Sequence, residues 1–141
     1  MTPRRSLGPA DRWRFAAIAL ILVEGGIHLQ QYDGTLHSVP TISTLFLLNA
    51  IGAAGITLVL AGSRDSVGIL AALAAIGLSL GALVSLAIAR ASTLFGYSEP
   101  TLRGVVLLAA AVEVLAVAAL AGFVLARASE SATSNGTAAA A

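Results

Sequence analysis

The chain has 141 residues, 57% of them hydrophobic and 11% charged, where a soluble domain carries about 25% charged residues. Its formal net charge of +1 provides no field for binding nucleic acid. The absence of Cys excludes disulfides, thiolate metal ligands, iron–sulfur clusters and a Cys nucleophile.

A surface this poor in charge is expected to face lipid. Every basic residue is Arg, and Ala and Gly are abundant. Small residues let membrane helices approach closely, and the bias as a whole is expected of a high-GC bacterial source.

Residues 1–12, with Pro3 and Pro9, read as a short cytoplasmic segment. A spanning helix needs roughly 20 mostly apolar residues, and four stretches meet that, at about 13–31, 40–61, 67–89 and 104–126. The expected fold is therefore all-α, a four-helix transmembrane bundle. Pro40 suits a first helical turn and Ser38 its cap. Gly62 and the polar run 63–66 mark a tight turn between the second and third spans. Residues 90–103, RASTLFGYSEPTLR, form the third connection, where Phe95, Gly96 and Tyr97 read as an interfacial anchor. Residues 128–141, ASESATSNGTAAAA, read as a disordered cytoplasmic tail.

Arg4, Arg5, Arg12, Arg14, Arg64 and Arg127 fall on one side of these spans, and Arg90 and Arg103 on the other. The positive-inside rule then puts both termini in the cytoplasm and makes the chain a multi-pass protein of the plasma (inner) membrane. A competing reading takes residues 1–25 as a cleaved signal peptide, because Arg4 and Arg5 precede a short apolar core and Gly25 and Gly26 follow it. No A-x-A pattern supports the cleavage.

The stretch 23–40, VEGGIHLQQYDGTLHSVP, interrupts the apolar pattern. At about 1.5 Å per residue, Glu24 lies about 10 Å below the outer boundary, Asn49 about 13 Å, Glu113 about 14 Å and Ser85 about 6–10 Å, with Ser79 deeper. Polar groups of four helices thus share a layer. A lone charge at membrane depth costs at least about 2.5–3.5 kcal/mol, so both carboxylates should point inward. His28 lies four residues after Glu24, on the same helix face. Glu24, His28, Asn49, Ser85 and Glu113 form the expected ligand site. Glu24, His28 and Glu113 are its candidate metal ligands, with His37, in a loop, as an outlying fourth. The pairs Gly52/Gly55 and Gly77/Gly81 read as close-packing surfaces.

Carboxylates with imidazole suit Zn, Mn or Fe. A di-iron centre wants Glu-x-x-His on two helices, which the chain lacks. No Gly-rich phosphate loop follows a strand, so neither NAD nor a nucleotide is expected. A divalent ion, a proton or a quinone remains as the occupant. The alternative is an accessory or scaffold subunit, in a homo-oligomer or larger membrane complex, whose Glu residues serve packing. Nothing in the sequence commits the chain to an enzymatic reaction.

Overall fold

The computed structural model describes residues 7–34, 36–63 and 65–139, with side chains as far as residue 133. Arg4, Arg5 and Arg64, which contribute to the expected orientation, lie outside the described residues. So do the last two residues of the expected tail and the side chains of residues 134–139.

The described chain is all-helical, with α1 (Pro9–Asp33), α2 (Pro40–Gly62), α3 (Ser66–Ala91) and α4 (Gly104–Ala139). α1 and α2 each open with Pro in the first turn, where the missing N–H has no intrahelical partner to lose. Val39 rather than Ser38 occupies the N-cap of α2, and its carbonyl accepts from the Ser43 N–H at 2.8 Å. The Asp65 carboxylate caps α3 by accepting from the Val67 N–H at 3.1 Å. The α2–α3 turn is tight enough that a Cβ on Gly68 would lie 2.6 Å from the Ser63 carbonyl oxygen.

α4 differs most from its expected length. It continues past Ala126 to Ala139, through residues assigned to a disordered tail. No Gly or Pro interrupts this stretch before Gly136, and Ala and Glu are good helix formers. Arg127 pairs with Glu130 at 3.1 Å. The hydroxyls of Ser129, Ser131 and Thr133 donate to carbonyls four residues back.

α1 packs against α2 and α4, and α3 closes the ring by packing against the same two helices. Neighbours are antiparallel. The start of α1, the described end of α4 and the end of α2 with the start of α3 therefore share one end of the bundle, the terminal end, while residues 36–39 and 92–103 lie at the other, the loop end. The apolar core fills the terminal half. Ala17 and Ile21 of α1, Leu60 of α2, Ala72 and Ala75 of α3, and Ala116, Leu120 and Phe123 of α4 are all but inaccessible there. Arg14 is buried at the same end and donates to the Leu60 carbonyl at 3.2 Å, one of the carbonyls that the end of α2 leaves without a partner.

Large apolar side chains cover the outside, with Leu58 75% exposed and Leu70 65%. Such surface costs nothing in hydrocarbon and would aggregate in water. Among the described residues, α2, α3 and Gly104–Thr133 of α4 are long and apolar enough to cross a membrane. α1, although 25 residues long, falls short on composition. Between Arg14 and Glu24 it has only the run FAAIALILV.

Where α1 crosses α2, a Cβ on Gly25 would lie 2.9 Å from the Ala53 Cβ, whereas at Gly26 it would meet no described atom within 4 Å. Gly25→Ala is expected to destabilise the bundle by about 1–3 kcal/mol, the usual cost of overpacking. Gly26→Ala should be neutral or stabilising by up to about 1 kcal/mol through helix propensity. Reversible unfolding in mixed detergent measures both.

Candidate functional site

Glu24, His28 and Gln31 recur at i, i+4 and i+7, which places them on one face of α1. That face is turned inward, leaving the three residues 1%, 5% and 7% exposed. Glu24 Oε2 accepts the Ser79 hydroxyl at 2.7 Å, while Oε1 has no hydrogen-bond partner among the described residues. The Asn49 amide stands beside this carboxylate without forming a bond of good geometry.

His28 Nδ1 lies 3.1 Å from the Glu24 carbonyl oxygen. A carbonyl only accepts, so Nδ1 carries a proton and donates it. In the neutral ring this leaves a lone pair on Nε2. Nε2 faces Glu113 Oε1 at 3.6 Å, beyond direct hydrogen-bonding distance. Two electron-rich atoms that meet in a buried place need positive charge near them, either a proton on one of them or a cation between them. The Phe46 ring, 4.8 Å from the imidazole between centroids, holds it from the α2 side.

Ligand atoms of Glu24, His28 and Glu113 all lie within 4.8 Å of one another. Zinc binds N and O donors at about 2.0–2.2 Å in a tetrahedron, so two donors on one ion stand about 3.3–3.6 Å apart. A pair as wide as 4.8 Å would have to close by about 1.2–1.5 Å to share one zinc. The Nδ1–H bond to a carbonyl is also the support that metal-ligating histidines commonly have.

Above this group, toward the loop end, lies a cavity of about 400 Å³. His28, Gln31, Asn49 and Glu113 line its deep part, and Leu45, Leu78, Val106 and Ala109 are among its apolar walls. Ser85 lines it too, but its hydroxyl donates to its own helix at the Gly81 carbonyl, 2.8 Å away. Gly77 and Gly81 also line the cavity, and a Cβ on either would meet no described atom within 4 Å. Contrary to the close-packing expectation, no helix rests on them. Gly52 does approach a neighbour, with its Cβ position 3.6 Å from Leu78. His37 stays at the surface, edge-on to Tyr32 at 6.0 Å, and is not brought to the buried group.

The roof of the cavity is a second polar cluster centred on Glu99, which is 5% exposed. Arg103 grips its carboxylate with two donors, at 3.2 and 2.8 Å, and the Tyr97 hydroxyl donates to it at 2.6 Å. Its backbone N–H donates to the Ala89 carbonyl at 2.9 Å, and its carbonyl accepts from Arg90 at 2.8 Å. The loop is thereby tied to the ends of both α3 and α4. Phe95 and Gly96 turn the chain with positive φ, 50° and 79°, and Phe95 is left 65% exposed, as an interfacial anchor requires. Burial alone would raise the Glu99 pKa. The hydrogen bonds from Arg103 and Tyr97, with the Arg103 charge, outweigh that and hold it below the usual carboxylate value. Burial and the Glu99 carboxylate push the Tyr97 hydroxyl up to about 12.

Sequence reasoning missed Ser79 as the partner of Glu24, and it missed Glu99. The spacing Glu99-x-x-x-Arg103 was visible, but a loop assignment gave it no meaning. Compared with known proteins, the chain matches no family model, no curated protein and no solved structure.

Glu24→Gln and Glu113→Gln should be non-additive in unfolding free energy by about 0.5 kcal/mol or more, since the two carboxylates share one buried group. Double-mutant cycles in detergent test this. For the loop, a depressed carboxylate pKa contributes stability that is complete above the unfolded value and is lost as pH falls through the folded one. A raised tyrosine pKa contributes stability that is complete below about 10 and is lost as pH rises through about 12. Amide exchange in residues 92–103 should therefore be slowest, relative to intrinsic rates, between about pH 5 and 10. Glu99→Gln should remove the acid limb of that profile.

Proposed function

We propose that the chain is a four-span protein of the bacterial plasma membrane, with both termini cytoplasmic. Its Glu24–His28–Glu113 group binds a divalent ion or a comparably small cationic ligand in the outer half of the bilayer. The observation that carries this reading is the convergence of three buried ligand atoms from α1 and α4 within 4.8 Å, with His28 Nε2 turned to Glu113. Ionisable groups at membrane depth are retained at a cost and mark ion or substrate sites. The donor set of one imidazole and two carboxylates suits zinc, manganese or ferrous iron. α1 is included as a span because Glu24, His28 and Gln31 face the bundle, and Leu22, Val23 and Leu29 face outward.

A second reading, an accessory subunit of a membrane complex or homo-oligomer, is favoured by the Ser79–Glu24 bond. That bond closes on the bundle itself and gives Glu24 a packing role. A stable partner that co-purifies, with no response to metal, would favour it.

Zinc or manganese should raise the melting midpoint of the wild-type protein in detergent, roughly with the logarithm of metal concentration once the site is filled. The effect should fade from pH 8 to pH 5 as protons compete for the donors. His28→Ala should weaken binding by more than about 100-fold, beyond the range known for changes to a ligand's supporting residues. Melting that ignores zinc, manganese and iron would remove the ion. Reporter fusions at residues 36, 65, 97 and the C-terminus should read outside, inside, outside, inside. An external C-terminus would overturn the orientation, and a mature N-terminus near Gly26 would overturn the first span.

A further inference from the structure

The cavity above the buried group is larger than an ion needs. Its volume of about 400 Å³ falls in the range of small-molecule sites, about 300–1,000 Å³. Its walls are apolar, while its floor carries several acceptor atoms without a partner. Gln31 Oε1 and Asn49 Oδ1 have no hydrogen-bond partner among the described residues, and neither does Glu24 Oε1 just beneath. His28 Nε2 offers a lone pair because Nδ1 donates to the Glu24 carbonyl. Glu113 adds a carboxyl group. The floor thus holds several acceptors with unused lone pairs, beside the amide N–H groups of Gln31 and Asn49, and an O–H group can donate to the first and accept from the second. Gln31 carries the most weight, being 7% exposed and lining the cavity.

The route in is lateral. α2 and α3 touch where Leu78 meets Gly52. Between that contact and the loop end, the cavity is lined on the α2 side by Leu45 and Leu48, which are 40% and 57% exposed. On the α3 side, Gly77 and Gly81 leave a strip of bare backbone without a covering side chain. The Arg103–Glu99–Tyr97 cluster closes the loop end. A molecule dissolved in the bilayer can therefore pass between α2 and α3 more readily than one arriving from water.

We infer that the cavity binds a lipid-soluble phenol or quinol. Its ring lies along the Gly77–Gly81 strip with Phe46 on the facing wall, its O–H donates to the acceptors of the floor, and its tail leaves between α2 and α3. An apolar tail satisfies the walls, an O–H head satisfies the floor, and a flat ring fits beside bare backbone. This inference rests on the polar group of the proposed function but needs no metal ion.

The test uses the full chain in phosphatidylcholine nanodiscs, with 4-decylphenol and decylhydroquinone kept reduced as probes. 4-Decylanisole, in which a methyl ether replaces the phenol O–H, is the control. A ligand of the folded state raises the melting midpoint with its concentration. Both phenols should raise it by about 3 °C or more at saturation, and the anisole by less than half as much. Gly81→Leu, whose side chain enters free space and so leaves the fold intact, should abolish the phenol shift. Gly55→Leu has equal room but lies outside the cavity, and it should retain the shift. Gln31→Leu should weaken phenol binding roughly three- to tenfold. Equal shifts from phenol and anisole, no shift from either, or an unchanged shift in Gly81→Leu would each overturn the inference. Zinc-dependent melting of the same samples separates the two readings. A zinc response without a phenol response removes this inference alone, and a phenol response without a zinc response removes the ion alone.

Discussion

The cost of leaving a carboxylate in hydrocarbon governs this molecule. Glu24 and Glu113 sit on helices whose other surfaces are Leu, Val, Ile and Ala, and insertion of a charge at depth costs a few kcal/mol. Each must therefore turn inward. Once Glu24 does, its face of α1 follows, because His28 and Gln31 lie on the same helical stripe. Glu24 then finds Ser79 across the bundle, and His28 finds Glu113. α1 cannot rotate without exposing three polar residues, so the least apolar helix is also the one with the most closely determined orientation.

The two halves of the bundle solve different problems. In the terminal half, Ala72, Ala75, Ala116 and Ala119 let helices approach closely around Phe123 and Leu120, which is how packing is achieved where no hydrophobic force separates helix from lipid. In the loop half the polar stripe of α1 keeps the helices from closing in the same way, and the cavity occupies the space. Its roof is held by hydrogen bonds instead of apolar contact. A twelve-residue connection could be slack. Here Glu99, with its carboxylate, N–H and carbonyl all engaged, gives it one arrangement.

The helices were readable because apolar run length is written directly in the sequence, and expected ends such as 40–61 fall within a residue or two of Pro40–Gly62. The inward carboxylates were readable from energy alone. What was not readable depends on how one helix is offset along another. Depth counted from each helix's own end favours Ser85 over Ser79. α3 stands about one turn higher at the loop end than that assumes, which brings Ser79 level with Glu24. Gly77 and Gly81 have the spacing of a helix interface, yet small residues only permit close approach and do not compel it. The Glu99 cluster joins residues 89 to 103 through a fold of the loop, and no periodicity announces that. The length of α4 was missed because a run of Ser, Thr and Ala resembles a linker when its polar groups are assumed to face water.

The charged clusters that bracket the apolar part of α4 have a consequence for the choice of membrane. Arg103, with Glu99, marks one end, and Arg127, beside Arg14 and Glu130, marks the other. The helix between them covers about 36 Å, against a hydrocarbon core of about 30 Å on average. The first cluster is fastened to α3 through Glu99, whose N–H and carbonyl bond to Ala89 and Arg90, and Arg127 holds Glu130 on its own helix. The stretch between them is thus a few ångströms longer than an average bilayer core. In thin membranes it must tilt or gather longer-chained lipids around itself, and it should be enriched where the bilayer is thickest.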